Sequence, residues 1–287
     1  MTAHLTAART AFHQRLISES TLSLSDTGVA SNADGSQKTS RAIAAHVAAA
    51  LGARSDIIKL GGQTAGNQFE VAVTAFLAET FNAFQMLRPG RWTVEQVGGQ
   101  RGTNHVAKYE PFRHLGELAS AIHAQRQLAS VLGNSYDISP DVLVLREPES
   151  DELINRGRPL VDEVTGRGAI IRSANQEHRI LHAVVSCKWT LRSDRAQNAR
   201  SEALNVIRNR KGRTPHIVVV TAEPTPSRLA SLALGTGDLD MVYHFALPEL
   251  QAAVASCNND EAQAMLDTLV SGKRLRDIAD LPLDLTV

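Results

Sequence analysis

The stretch LHAVVSCKWTLRSDRAQNARSEALNVIRNRKGRTPHIVVVT, Leu181 to Thr221, decides the architecture. In its first nine residues Leu181, Ala183, Val185, Cys187 and Trp189 share one face. His182, Val184, Ser186 and Lys188 share the other, the period of two that marks a β-strand. From Arg195 to Asn209 the period becomes helical, with Ala199, Ala203 and Val206 as the apolar stripe. His216 to Thr221 is a short apolar run, a second strand. Upstream, YDISPDVLVL ends in a run typical of a buried central strand, with Asp141 at its head.

Outward from that unit, helices are predicted over Ala3–Ile17, Thr39–Leu51, Gln68–Leu87, roughly Phe112–Leu132, and near Ser227–Leu234, with more at the C-terminus. Strands are predicted at Trp92–Val97 and Met241–Ala246, and LGGQTAGN, Leu60 to Asn67, reads as a break. Strands alternating with helices predict an α/β domain with a mixed sheet. No repeat, low-complexity segment or convincing linker divides the chain, so residues 1–287 read as one domain. Arg146 to Arg179 lacks periodicity, and loops of that length are usually functional or interface-forming.

Composition removes other classes. With 43% apolar and 21% charged residues the chain is ordinary globular material. Its longest apolar runs are far short of the roughly 20 residues that span a bilayer, and MTAHLTAARTAFHQRL is no secretory signal, so a cytoplasmic location is expected. Two cysteines, Cys187 and Cys257, build no disulfide framework and no zinc or redox pair. The 30 basic and 30 acidic residues cancel, yet Ser186 to Arg213 holds eight basic against two acidic, a local +6 on a body of −6. Phosphate-loop, dinucleotide-binding, zinc-protease and serine-hydrolase signatures are all missing.

Lys188 is either an edge-strand charge or an active-site cation, and Cys187 points inward as a small core group. Pro140-Asp141 followed by an acid, one spacer and lysine is a weak signature of metal-dependent nucleases, in which acids hold a divalent metal and lysine supports the attacking water. Here Ser186 stands where the second acid belongs. Glu202, fourteen residues after Lys188, is the substitute carboxylate or a plain exposed helix glutamate. Glu70 closes a capping box begun by Asn67, or faces a cleft as another acid. RSDR, Arg192 to Arg195, lies where strand passes into helix. Its arginines can read guanine and Asp194 cytosine; alternatively Ser193 or Asp194 merely caps the helix. RNRKGR, Arg208 to Arg213, suits phosphate contacts better than base reading.

Together, Asp141, VSCKWTLRSDRAQNARSE at Val185–Glu202 and RNRKGRTPHIVVVTAEPTPSR at Arg208–Arg228 closely resemble the NgoMIV family of type II restriction endonucleases. GVASNADGS, GQTAGNQFE and KRLRDIADLPLDL extend the likeness over nearly the whole chain. The resemblance implies a restriction-endonuclease core, a mixed β-sheet flanked by helices, and cleavage of double-stranded DNA at GCCGGC after the first G, leaving four-base 5′ overhangs. It implies a pair of Mg²⁺ ions per active site, with Asp141 and the main-chain carbonyl of Cys187 as direct ligands and Glu70 and Glu202 acting through water. Lys188 would orient or activate the nucleophilic water, and Ser186 would complete the polar shell. Arg192, Asp194 and Arg195 would read the inner CCGG, Arg228 the outer pair, and Ser36 and Gln63 the minor groove. Family members form dimers that pair into tetramers, which makes 146–179 the candidate second interface, and a cytosine methyltransferase would protect the same site. A structure-specific repair or recombination nuclease and a non-cleaving DNA-binding protein are the competing readings.

Overall fold

A computed structural model describes residues 2–54, 60–98, 105–125, 127, 130, 138–235 and 237–287, without the side chains of residues 193 and 194. Its six strands form one sheet: β1 (Trp92–Gln96), β2 (Val142–Arg146), β3 (Ile180–Lys188), β4 (His216–Thr221), β5 (Met241–His244) and β6 (Leu275–Asp277). Their order in the sheet is their order in the chain. β1, β2 and β3 run antiparallel, and β3 to β6 run parallel, so the sheet is mixed as predicted. The helices are α1 (His4–Ser18), α2 (Lys38–Ala50), α3 (Gly62–Phe81), α4 (His114–Ala124), α5 (Asp151–Ile154), α6 (Ser193–Asn209), α7 (Pro226–Ala233), α8 (Leu247–Ser256), α9 (Asp260–Ser271) and α10 (Leu281–Asp284). None of the described helices is long and apolar enough to cross a membrane.

Both faces of the sheet are covered, which is why its central strands read as continuous apolar runs. Val142, Val144, Ala183 and Val185 join one cluster with Phe12 of α1 and Phe69 and Phe76 of α3. Leu143, Leu145 and Val184 join another with Phe112, Leu115 of α4, and Ala203 and Val206 of α6. The crossover α6 therefore packs its predicted apolar stripe back on the sheet, the usual way to link the parallel strands β3 and β4.

Three expectations need correction. The β2–β3 pairing slips at a bulge: Val144 pairs with Ala183 but Leu145 with Leu181. His182 is the extra residue, so Leu181 packs with Leu145 and Val184 rather than on the face of Ala183. The segment GQTAGN is the start of α3, not a break, because Ala65 and Phe69 bury on the same face as Val73 and outweigh the weak helix propensity of Gly62 and Gly66. The same helix stops at Phe81, and Asn82–Phe84 tightens into a 3-10 turn. β6, only three residues long, has no pattern that the sequence alone displays.

The unpatterned insertion has its own organising residue. Buried Arg172 donates to both carboxylate oxygens of Asp151, at 2.9 and 2.6 Å, to the Asp162 carbonyl at 3.0 Å, and to the Thr165 carbonyl. Arg172→Met is expected to speed amide exchange across residues 151–175 by at least about tenfold while leaving the sheet protected. Unchanged exchange in that segment would show that something other than Arg172 holds it.

Candidate active site

Because β2 and β3 are antiparallel, the start of β2 and the end of β3 meet at one edge of the sheet. Asp141 directly precedes β2 and Lys188 ends β3. Asp141 is buried, and its Oδ2 accepts the Cys187 N–H at 2.7 Å and the Lys188 ammonium at 3.1 Å. β3 lies between β2 and β4, so Lys188 is no edge-strand charge. Its carbonyl accepts from Thr221 Oγ1 at 2.8 Å and Ala222 N at 3.1 Å, which anchors the end of β3 to β4. The side chain is thus fixed at its root and tethered at its tip. Ser186 shares the face of Lys188 two residues earlier, and its buried Oγ has no hydrogen-bond partner among the described residues.

The other two expected carboxylates lie on helices. With α3 beginning at Gly62 and Gly61 in the cap position, Asn67 lies inside the helix and the capping-box reading of Glu70 falls. Glu70 is a buried carboxylate on a helix that packs against β3. Glu202 is half-buried on α6, beside the fully packed Ala203. Among the described residues, no three His, Cys, Asp or Glu side chains stand close enough to hold a metal by themselves. The donor chemistry nevertheless suits a hard divalent cation. Asp141, Glu70 and Glu202 offer only oxygen, the Cys187 side chain packs into the apolar cluster, and the unsatisfied Ser186 hydroxyl is the kind of atom a hydrated ion serves.

The residues expected to read DNA fall into two connected groups. Arg192 occupies the cap position of α6, exposed and without a side-chain cap bond, so placing the cap at Ser193 or Asp194 sets it too late. Arg195, in the first turn, donates to Thr190 Oγ1 at 2.7 Å. The Asp194 side chain lies outside the described residues. In the second group Asp34 accepts from the Ser36 hydroxyl at 2.7 Å, from the Ser36 N–H at 3.0 Å, and from Arg228. These bonds hold the Asp34 carboxyl well below the usual carboxylate range. Gln63 is exposed in the first turn of α3.

Glu223 joins the two groups, and the sequence reading passed over it. The residue is 1% exposed. Oε2 accepts the Leu191 N–H at 2.8 Å, Oε1 the Thr225 N–H at 3.1 Å, and Arg228 lies 3.7 Å away. Arg228 in turn donates to the Leu191 carbonyl at 3.1 Å, and Asn32 Nδ2 to the Ala222 carbonyl at 2.7 Å. One buried carboxylate thereby ties RSDR to the start of α7, and Asn32 ties the loop carrying Asp34 and Ser36 to the same turn. Burial raises the Glu223 pKa, against the opposing pull of its hydrogen bonds. Its only sequence signal is an acid between a strand and the Pro residues of TAEPTP. Glu223→Ala strands two buried N–H groups and is expected to cost about 2–3 kcal/mol of stability. Urea unfolding measures that loss, and an unchanged midpoint would remove Glu223 from this role.

RNRKGR does not share this edge. From Ser193 to Arg208, α6 carries the chain about 22 Å, at 1.5 Å per residue, to the opposite end of the sheet, where the run begins in the helix's last turn. The +6 segment is therefore two separate basic surfaces.

Comparison with known proteins agrees with this architecture. The family model described as NgoMIV restriction enzyme matches residues 12–287. The Type II restriction enzyme NgoMIV of Neisseria gonorrhoeae is 50% identical over 282 residues, covering 98% of this chain and 98% of that one. An edge where Asp141 and Lys188 meet, a helix that opens on RSDR, and sequence likeness over 98% of the chain lead to one assignment: the chain belongs to the NgoMIV restriction enzyme family.

Proposed function

We propose that this family member, a site-specific deoxyribonuclease, is Mg²⁺-dependent and cuts both strands of GCCGGC after the first G, leaving four-base 5′ overhangs. The Asp141–Lys188 contact, made by a buried acid and a tethered lysine at the end of a central strand, is the observation that carries this reading. Asp141 and the Cys187 carbonyl would hold the metal directly, with Glu70 and Glu202 acting through water. Mg²⁺ bound there supplies positive charge against the phosphate and favours ionisation of water. Lys188 donates to the nucleophilic water and aligns it with the scissile bond, while Asp141 holds the ammonium in place. Ser186 Oγ lies on the same face and completes the polar wall.

Recognition follows from the placement of α6. A helix start can enter the major groove, where Arg192 and Arg195 match guanine N7 and O6 and Asp194 accepts from cytosine N4. Arg228, braced by Asp34 and Glu223, serves the outer pair; Ser36 and Gln63 face the minor groove. A palindrome is met by a two-fold dimer, each subunit cutting one strand. The insertion at 146–179 presents Leu153, Leu160 and Val164 to solvent, which supports its use as the dimer–dimer face of a tetramer. Deleting its centre should leave dimers on a sizing column, and tetramers after deletion would reject that use. A cytosine methyltransferase acting on the same site would protect host DNA.

Binding in Ca²⁺, without cleavage, tests the base assignments. Each inner base pair changed is expected to cost about 1–3 kcal/mol with wild-type protein, and Arg195→Ala should erase that penalty at one pair. Equal affinity for all duplexes would discard RSDR as the reader.

A further inference from the structure

Arg213, the last residue of RNRKGR, borders a cavity of about 280 Å³ at the end of the sheet opposite Lys188. Arg88, Arg146 and Arg213 line it, with Trp92, His182 and Ile170 among its walls. The guanidinium carbons of Arg88 and Arg146 lie 5.7 and 5.3 Å from the centre of the Trp92 ring. Gly90 makes that packing feasible: a Cβ there would sit 2.8 Å from Arg146 Nε and 3.0 Å from Trp92 Nε1. The Nε atoms of Arg88 and Arg146 are both buried with no hydrogen-bond partner among the described residues.

Arg146 is 3.4 Å from Glu149, and Arg88 donates to the main-chain oxygens of Thr286 and Val287 at 3.2 and 2.7 Å. Arg213 is exposed and makes no ion pair among the described residues. Neighbouring groups register the field. Burial and then the charges of Arg213 and Arg146 lower the pKa of Arg88, and burial followed by Arg213 lowers that of His216. Three arginines on one small, half-enclosed cavity offer planar donor forks that match the oxygens of a compact oxyanion.

We propose that Arg88, Arg146 and Arg213 form a phosphate-binding pocket at the end of the sheet remote from Lys188, used by a phosphate group that is not the one cleaved. That group belongs either to a free phosphate compound or to a DNA backbone crossing RNRKGR. Neither the cutting chemistry nor the target sequence enters this inference, so it stands or falls separately from the proposed endonuclease mechanism.

Calorimetric titration of the full chain with inorganic pyrophosphate, in EDTA and low salt, tests it. Saturable binding at one site per chain is expected, weakened at least about tenfold by Arg213→Glu. Because Arg213 is exposed, the variant should keep its ligand-free melting temperature, which is measured alongside. A duplex without GCCGGC then separates the sources. Competition with pyrophosphate, and a salt dependence of duplex binding reduced by about one unit in Arg213→Glu, assign the pocket to backbone phosphate. Pyrophosphate binding without competition assigns it to a free compound. Lack of saturable binding to the wild-type chain, or equal binding by a folded Arg213→Glu variant, overturns the proposal.

Discussion

Lys188→Ala is expected to slow cleavage of GCCGGC by about 10²- to 10⁴-fold, the range lost when a group that positions or deprotonates a nucleophile is removed. Affinity for the uncut duplex, measured in Ca²⁺, should stay within a few-fold of wild type, since the bases are assigned to Arg192, Asp194, Arg195 and Arg228. Asp141→Asn should be at least as damaging to cleavage. It removes a proposed metal ligand and weakens the acceptor that holds both Lys188 and the Cys187 N–H. Lys188→Ala also leaves a buried carboxylate with one fewer donor, so its melting temperature must be measured beside the rate. A rate loss confined to a variant that has unfolded would place Lys188 in the scaffold only. Full activity in a folded Lys188→Ala chain would exclude it from the chemistry.

Acidification should unfold the protein through its buried histidines. His182 Nε2 donates to the Leu285 carbonyl, 2.8 Å away, and the ring packs between Phe81, Trp92 and His216. Burial pushes its pKa down to about 3, and burial pushes that of His244 down to about 4. An unfolded histidine titrates near 6.5. The unfolded chain therefore binds more protons below that value, and the stability these rings hold as neutral groups is present above pH 6.5 and lost as pH falls toward 4 and 3. At pH 5 each ring contributes a loss of about 2 kcal/mol, or about 4 kcal/mol together. Glu223, whose pKa burial raises, opposes this, because the folded chain holds its proton more readily than the unfolded one. Urea unfolding at pH 8, 6.5 and 5 is the measurement, and His182→Gln should recover about 2 kcal/mol of the loss at pH 5. A flat profile from pH 8 to 5 would show that the rings are hydrated or charged in the fold.

The central unit was legible because local pattern and final packing agree there. β2, β3, β4 and α6 carry the periods that their burial demands, and Asp141 and Lys188 end up in contact 47 residues apart. Where tertiary packing overrode local chemistry, the pattern misled. GQTAGN has the glycines of a turn, yet helix α3 is held by what Ala65 and Phe69 touch. The bulge at His182 reverses Leu181 without any residue that announces it. Net charge was misleading in another way: Lys188 to Arg213 looked like one basic surface until α6 separated its ends. Glu223 shows the remaining gap. Its importance lies in three partners from distant segments, and no spacing along the chain encodes them.

Site-specific hydrolysis is tested most directly by incubating the protein with a plasmid bearing two GCCGGC sites, in Mg²⁺ and in EDTA, beside Lys188→Ala, and sequencing the ends. Cuts after the first G of each site, with four-base 5′ overhangs, abolished by EDTA and by the substitution, are predicted. Metal-dependent cuts elsewhere would contradict the assigned target, and specific binding with no cleavage by wild-type protein would contradict catalysis at Asp141 and Lys188.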